Sequence, residues 1–240
     1  MKKWKKLLLI LVIGLALVLG GGIAYLKTQS YSPTNNALQT AKKAEDSGDW
    51  LYFSGKDQTK PMIIFYPGAL VEPESYSPWA QTLAKAGYPV YILKMPLDLA
   101  VLAPNRGEKV LSEHPKRDYI VGGHSLGGVM ASRFAKGHTN HLEGVFFLAS
   151  YPDTKGTLAD KNLPVLSLTA ENDRVLNHDA YKKAKQDLPK STDYQEISGG
   201  NHAGFGSYGP QKGDGKSEIN DQNQQVAQQL LLWLKENVNH

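Results

Sequence analysis

The pentapeptide Gly123-His124-Ser125-Leu126-Gly127 sets a serine hydroxyl between two glycines at G-x-S-x-G spacing. A serine hydroxyl attacks an acyl carbon once a neighbouring base takes its proton. The pentapeptide alone is a weak signal, because Gly and Ser are common. Its setting strengthens it. The apolar run Tyr119-Ile120-Val121 comes just before and a helix-compatible stretch starts at Leu126. A strand, a sharp turn and a helix would expose Ser125 at the tip of the turn, with a helix N-terminus behind it to favour developing negative charge. The turn is too tight for side chains two residues either side of Ser125, which explains both glycines.

The base is sought among seven histidines. His124 lies inside the turn and is expected to face the interior. His114, His138, His141, His178 and His240 sit in polar or helix-end contexts and are expected at the surface. His202 differs. It lies in Gly199-Gly200-Asn201-His202-Ala203-Gly204-Phe205, directly after the predicted strand Tyr194–Ile197, where a loop can reach the turn. The acid that orients the base is expected after the strand Val165–Leu168, in Thr169-Ala170-Glu171-Asn172-Asp173-Arg174-Val175. Asp173 is the first choice, Glu171 the nearby competitor and Asp153 a more distant one.

An oxyanion needs backbone donors. One is expected from the N–H of Leu126. The other is expected from Tyr66-Pro67-Gly68-Ala69-Leu70-Val71, after the strand Met62–Tyr66, with Ala69 as the best donor and Leu70 as the alternative. Gly68 allows close approach of backbone and substrate. Gly68, Leu70 and Phe205 are expected substrate contacts, and Tyr76, Trp79, Met95 and Phe205 candidate pocket walls, although aromatics near such a loop are more often core. The Gly-rich segment Gly206–Lys216 is a candidate rim. Asp214 and its polar neighbours do not match a metal-loop spacing. This chemistry calls for no metal and no organic cofactor.

These residues need a scaffold that brings strand ends together. Short β-rich runs recur at Trp50–Phe53, Met62–Tyr66, Val90–Leu93, Tyr119–Val121, Val145–Leu148, Val165–Leu168 and Tyr194–Ile197. Several are apolar on consecutive residues, as in strands buried on both faces of a parallel sheet. Helical stretches alternate with them at about 76–86, 107–115, 126–137, 178–187 and 218–237. The predicted fold class is α/β: a doubly wound, mostly parallel sheet with helices on both faces, preceded by one N-terminal transmembrane helix. About a dozen residues separate the strand ending near Ser150 from the one starting at Val165, too few for a helical lid, so an open site is expected.

The chain has 240 residues, 41% apolar and 21% charged, which suits one medium domain. It has no cysteine, which excludes a disulfide scaffold, a thiolate zinc site and a cysteine nucleophile. The net charge of +4 is misleading. Residues 1–27 hold five lysines and no acid, leaving 22 basic against 23 acidic residues in the body. A near-neutral body gives no support for nucleic-acid binding. Leu7 to Leu26 is free of charge, with four lysines before it and one after. Twenty helical residues span a hydrocarbon core, and the lysine bias keeps the N-terminus cytoplasmic. Residues 1–27 are therefore expected to be an uncleaved membrane anchor with the rest outside the cell membrane; a cleaved signal peptide is the alternative. Residues 28–46 are expected to be a polar linker and 47–240 the folded domain, working as a monomer.

Over 47–240 the chain resembles the α/β-hydrolase superfamily, in its small, lidless branch of dienelactone-hydrolase-like and carboxylesterase-like enzymes. It is similar in particular to membrane-anchored bacterial hydrolases. The resemblance rests on Tyr66-Pro67-Gly68, on Gly123-His124-Ser125-Leu126-Gly127-Gly128 and on Asn201-His202-Ala203-Gly204-Phe205-Gly206. It implies Ser125 as nucleophile, Asp173 as acid and His202 as base. The chain departs from lipases in lacking His-Gly-Gly-Gly, and from dienelactone hydrolases in carrying serine where they carry cysteine. The expectation is a serine hydrolase for small carboxylic esters. The alternatives are an acyltransferase or amide hydrolase with the same triad, and a non-catalytic surface binding module.

Overall fold

The computed structural model describes residues 3–57 and 59–238, so His240 lies outside the described residues. The chain divides into two units, Met1–Ser30 and Tyr31–His240. The first is a single helix, α1 (Lys3–Thr28). Among the described residues no helix is long and apolar enough to cross a membrane. Within the expected span 7–26, side chains 7–10, 13 and 16–19 lie outside the described ones.

In the second unit α2 (Asn35–Ala41) and β1 (Glu45–Asp46) precede β2 (Trp50–Phe53) and β3 (Met62–Tyr66). Then follow α3 (Ser77–Lys85), β4 (Val90–Leu93), α4 (Gly107–Glu113), β5 (Tyr119–His124) and α5 (Leu126–Gly137). The chain closes with β6 (Leu142–Leu148), β7 (Val165–Ala170), α6 (His178–Ala184), β8 (Asp193–Ile197) and α7 (Gln222–Asn237). The eight strands form one sheet in the order β1-β2-β4-β3-β5-β6-β7-β8. Pairing is antiparallel from β1 to β2 and β2 to β4, and parallel elsewhere.

The consecutive apolar runs have the expected cause. All five residues of β3 are buried. Ile63 and Phe65 enter one core with α3 and α7, while Met62, Ile64 and Tyr66 enter another with α4 and α5. Helices thus cover both faces, and the carboxyl ends of β3, β5, β7 and β8 point to one edge, where ligands of such sheets bind.

Among the boundaries that differ from expectation, two bear on the loops around the site. α7 begins at Gln222, not at 218, because the Asp221 carboxylate caps it by accepting from the Gln224 N–H at 3.0 Å. The segment 28–46 is not a linker beyond Ser30. Its backbone is tied to the body: Tyr31 N–H donates to the Leu70 carbonyl at 2.6 Å, and Thr34 N–H to the Ser207 carbonyl at 2.7 Å. Ala37 is fully buried. The connection 149–164 contains one short 3-10 turn, Thr154–Gly156, and no helical lid.

Candidate active site

Ser125 stands between the end of β5 and the start of α5, with φ 51° and ψ −125°. This is a strained conformation for a side-chain-bearing residue, of order 1–3 kcal/mol, and it persists because neighbours over-determine it. Ser125 N–H donates to the Leu148 carbonyl at 3.0 Å, and its own carbonyl accepts from Gly128 N–H at 3.0 Å and Ser150 Oγ at 2.6 Å. The glycines are sterically required. A Cβ on Gly123 would lie 2.4 Å from the Gly127 carbonyl carbon, and one on Gly127 only 2.1 Å from the Tyr66 carbonyl oxygen. Ser125 itself is half-buried.

Asp173 and His202 come together from the ends of β7 and β8. His202 Nδ1 lies 2.8 Å from Asp173 Oδ2, and both side chains are buried. A carboxylate beside Nδ1 selects the tautomer in which Nδ1–H donates. The other carboxylate oxygen, Oδ1, accepts from the N–H groups of Val175 and Leu176, each at 2.8 Å. Burial pushes the Asp173 carboxyl up, but the hydrogen bond and charge of His202 and the two backbone donors outweigh it, and the net direction is down. The His202 ring packs on His124, next to Ser125, with centroids 4.6 Å apart. Among the described residues the Ser125 hydroxyl makes no hydrogen bond to His202; such contacts often tighten only with substrate bound.

The competing acids have other partners. Glu171 Oε2 accepts from Ser198 Oγ at 2.7 Å and from Gly199 N–H at 2.8 Å, bracing the exit of β8. Asp153 pairs with Arg133, Nε to Oδ1 at 3.1 Å. Among the surface histidines, His138 bonds Glu108 and His141 bonds Asp118.

The loop after β3 sorts its donors. Gly68 N–H donates to the Tyr76 hydroxyl at 2.9 Å, and Leu70 N–H to the Asp98 carbonyl at 2.8 Å. Among the described residues the N–H of Ala69 makes no hydrogen bond, nor does that of Leu126 at the first position of α5. The alternative donor Leu70 is thereby corrected: its N–H is engaged elsewhere. The candidate pocket walls belong to the core. Tyr76, Trp79 and Phe205 are fully buried core residues, and Met95 is 8% exposed. Phe205 touches the site from beneath, its ring 5.8 Å from that of His124, and not as a substrate contact.

Some supports escaped the sequence reading. The histidine loop is held by Gln222 of α7, whose Oε1 accepts from Asn201 N–H and whose Nε2 donates to the Asn201 carbonyl, both at 2.8 Å. Asp214 Oδ2 accepts from Ala203 N–H at 2.8 Å, so the segment that could be a rim or a plain surface loop braces the histidine loop. The one available signal was a glutamine in the first turn of an acid-capped helix. A cleft of about 900 Å³ lies beside this loop, walled by Asn201, Gly204, Gln211 and Asn223; it does not reach Ser125. Among the described residues no group of three or more His, Asp and Glu side chains is placed to hold a metal ion.

Solved structures of similar shape include a dienelactone hydrolase from Anabaena variabilis, 17% identical, covering 79% of this chain and 92% of that one with a TM-score of 0.62. A carboxylesterase from Bacillus subtilis is 12% identical and covers 90% of this chain and 100% of its own, with a TM-score of 0.61. An esterase domain from a Rhodothermus marinus protein is 13% identical, covers 79% and 93%, and has a TM-score of 0.60. At these identities the likeness is one of fold. Comparison with the sequences of curated proteins found no match. The description "Alpha/beta hydrolase family" fits residues 62–226, a span running from β3 through the serine turn and both loops that meet at His202 into α7. By that match, which covers well over half its length, the chain belongs to the alpha/beta hydrolase family.

Proposed function

We propose that this protein is a serine hydrolase that cleaves small carboxylic esters. The observation that carries the reading is the buried Asp173–His202 hydrogen bond, whose imidazole packs on the residue preceding a strained, half-buried serine. With Nδ1–H held by Asp173, the free Nε2 of His202 takes the Ser125 proton as Oγ attacks the ester carbonyl. The N–H groups of Leu126 and Ala69 receive the oxyanion, each contributing about 3–4 kcal/mol in the transition state. His202 returns the proton to the leaving alcohol, and water then releases the acyl group by the same steps reversed. Dienelactone hydrolase, carboxylesterase and esterase folds among the similar structures favour an ester over an amide. The connection 149–164 carries no helical lid, which favours short or medium acyl groups. The charge-free run Leu7–Leu26 behind four lysines supports a membrane tether with the catalytic unit outside.

The test is fluorophosphonate labelling of the full chain with an ester assay alongside. The parent is expected to label at Ser125. Ser125→Ala and His202→Ala should lose labelling, with ester turnover down about 10⁴- to 10⁶-fold. A folded parent that does not label would overturn the reading.

A further inference from the structure

One buried hydrogen-bond chain lies outside the steps above. The Tyr76 hydroxyl accepts from Gly68 N–H at 2.9 Å and lies 3.0 Å from His124 Nδ1. All three groups are buried. Gly68 N–H is a donor, and among the described residues His124 Nδ1 is the one acceptor bonded to the Tyr76 hydroxyl, so the phenol proton is assigned to that contact. His124 is then the neutral Nε2–H tautomer. Its burial holds the imidazole well below its ordinary value, and the neighbouring His202 adds to that. Burial also raises the Tyr76 hydroxyl far above its ordinary range, so it stays protonated.

The chain joins the two halves of the oxyanion site. His124 directly precedes Ser125 and Leu126, and Gly68 directly precedes Ala69. The packing leaves little slack: a Cβ on Gly68 would sit 2.8 Å from His124 Nδ1 and 3.1 Å from the Tyr76 oxygen. Gly68 N–H and Leu70 N–H are both anchored, and among the described residues Ala69 N–H between them makes no hydrogen bond. We propose that Tyr76 is a positioning residue for catalysis: through Gly68 and His124 it sets the distance between the Ala69 and Leu126 donors. The inference rests on the serine-hydrolase reading and adds to it a residue that touches neither substrate nor the reacting atoms.

The experiment compares the full-length parent with Tyr76→Phe, His124→Asn and His124→Leu. Active sites are counted by fluorophosphonate, and kcat, KM and inhibition by a trifluoromethyl ketone are measured per active site. Such a ketone forms a tetrahedral oxyanion on the serine. For Tyr76→Phe the expected result is a tenfold or greater loss in kcat, KM within threefold of the parent, and a loss in ketone affinity that parallels kcat. His124→Asn, which keeps an acceptor near the Nδ1 position, should retain more kcat than His124→Leu, which has none. Unchanged kcat per active site with a lowered melting temperature would overturn the proposal, since Tyr76 would then be only a core residue. A raised KM with unchanged kcat would overturn it as well. A parent that fails to label identifies a different failure, that of the serine-hydrolase reading itself.

Discussion

The serine turn and the segment Tyr31–Asp46 stand side by side with the same catalytic loops, yet they are built in opposite ways. In the turn, strand β5, the glycines and α5 are contiguous, and the steric logic runs over a few residues. In Tyr31–Asp46 the chain is polar and without periodicity, and still it is fixed. It is held by partners up to 181 residues away, among them these: Ser32 Oγ donates to Glu72 Oε1 at 2.8 Å, Glu72 N–H to the Tyr31 carbonyl at 3.1 Å, and Thr34 Oγ1 pairs with Ser207 Oγ at 2.7 Å. Hydrophobic periodicity reports which side chains are buried. It carries no record of backbone groups that pair with distant loops. The Tyr31–Thr34 stretch binds both the oxyanion loop, at Leu70 and Val71, and the loop after His202, at Ser207.

The contrast predicts unequal sensitivity. Gly127→Ala should be the most damaging change. Its new Cβ would meet the carbonyl oxygens of Tyr66 and Pro67 at 2.1 and 2.3 Å, and both are backbone, so neither can rotate away. Overpacking of this kind should destabilise by about 3 kcal/mol or more. For a domain of this size that is a fall of roughly 6–12 °C in melting temperature. The same shift displaces Ala69 from Leu126, and a 1 Å misplacement at a reacting centre removes about 10²-fold in rate. Calorimetry and steady-state kinetics on the purified variant check both. A variant within about 1 kcal/mol of the parent would show that the turn has slack, and the contrast would be broken.

Legibility follows the same division. Strands β2, β3 and β4 and helix α5 match the sequence reading to the residue, because each is an apolar run or stripe. β5 runs three residues past the expected Val121, since Gly122, Gly123 and His124 continue the ladder to β6 without adding apolar side chains. Ser125, Asp173 and His202 could be singled out because strand-end loops advertise them. Asp173 ranks first among three candidate acids in the sequence, and only in three dimensions is it seen at His202 while Glu171 and Asp153 are bonded to Ser198 and Arg133. Gln222, Asp214 and Tyr76 were not legible as supports. Each holds a backbone N–H of a loop at least 8 residues away, and no pattern of residue types encodes that.

Acidification separates the two regions next. The folded pKa of His124 is depressed, and an unfolded histidine titrates near 6.5. As pH falls below that value the unfolded chain takes up a proton that the folded one refuses. His124 therefore contributes stability above about pH 6.5 that is lost on acidification, at a limiting slope of about 1.4 kcal/mol per pH unit. The Tyr31–Asp46 segment has no such group. Its Asp46, exposed and bonded to Lys94, is lowered from 3.8, so its small contribution holds through this window and fades only below it. Melting temperature measured from pH 7.5 to 5 should fall in the parent and fall less steeply in His124→Asn. Equal slopes would remove His124 from the account.

Thr34→Ala is the mildest change and tests the segment directly. Thr34 caps α2, a helix of seven residues, by accepting from Ala37 N–H at 3.3 Å, and its hydroxyl also meets Ser207. Loss of a cap costs about 1 kcal/mol, or roughly 2–4 °C here. The backbone bonds from Tyr31 to Leu70 and from Thr34 to Ser207 survive the substitution, because they do not use the side chain. Turnover should therefore stay within about threefold of the parent while stability falls, the reverse of what positioning through Tyr76 requires. A tenfold loss of kcat without a loss of stability would mean that the Thr34 side chain itself tunes the histidine loop through Ser207. Tyr31–Asp46 would then belong with the serine turn as part of the catalytic geometry, and the difference between the two regions would be one of legibility alone.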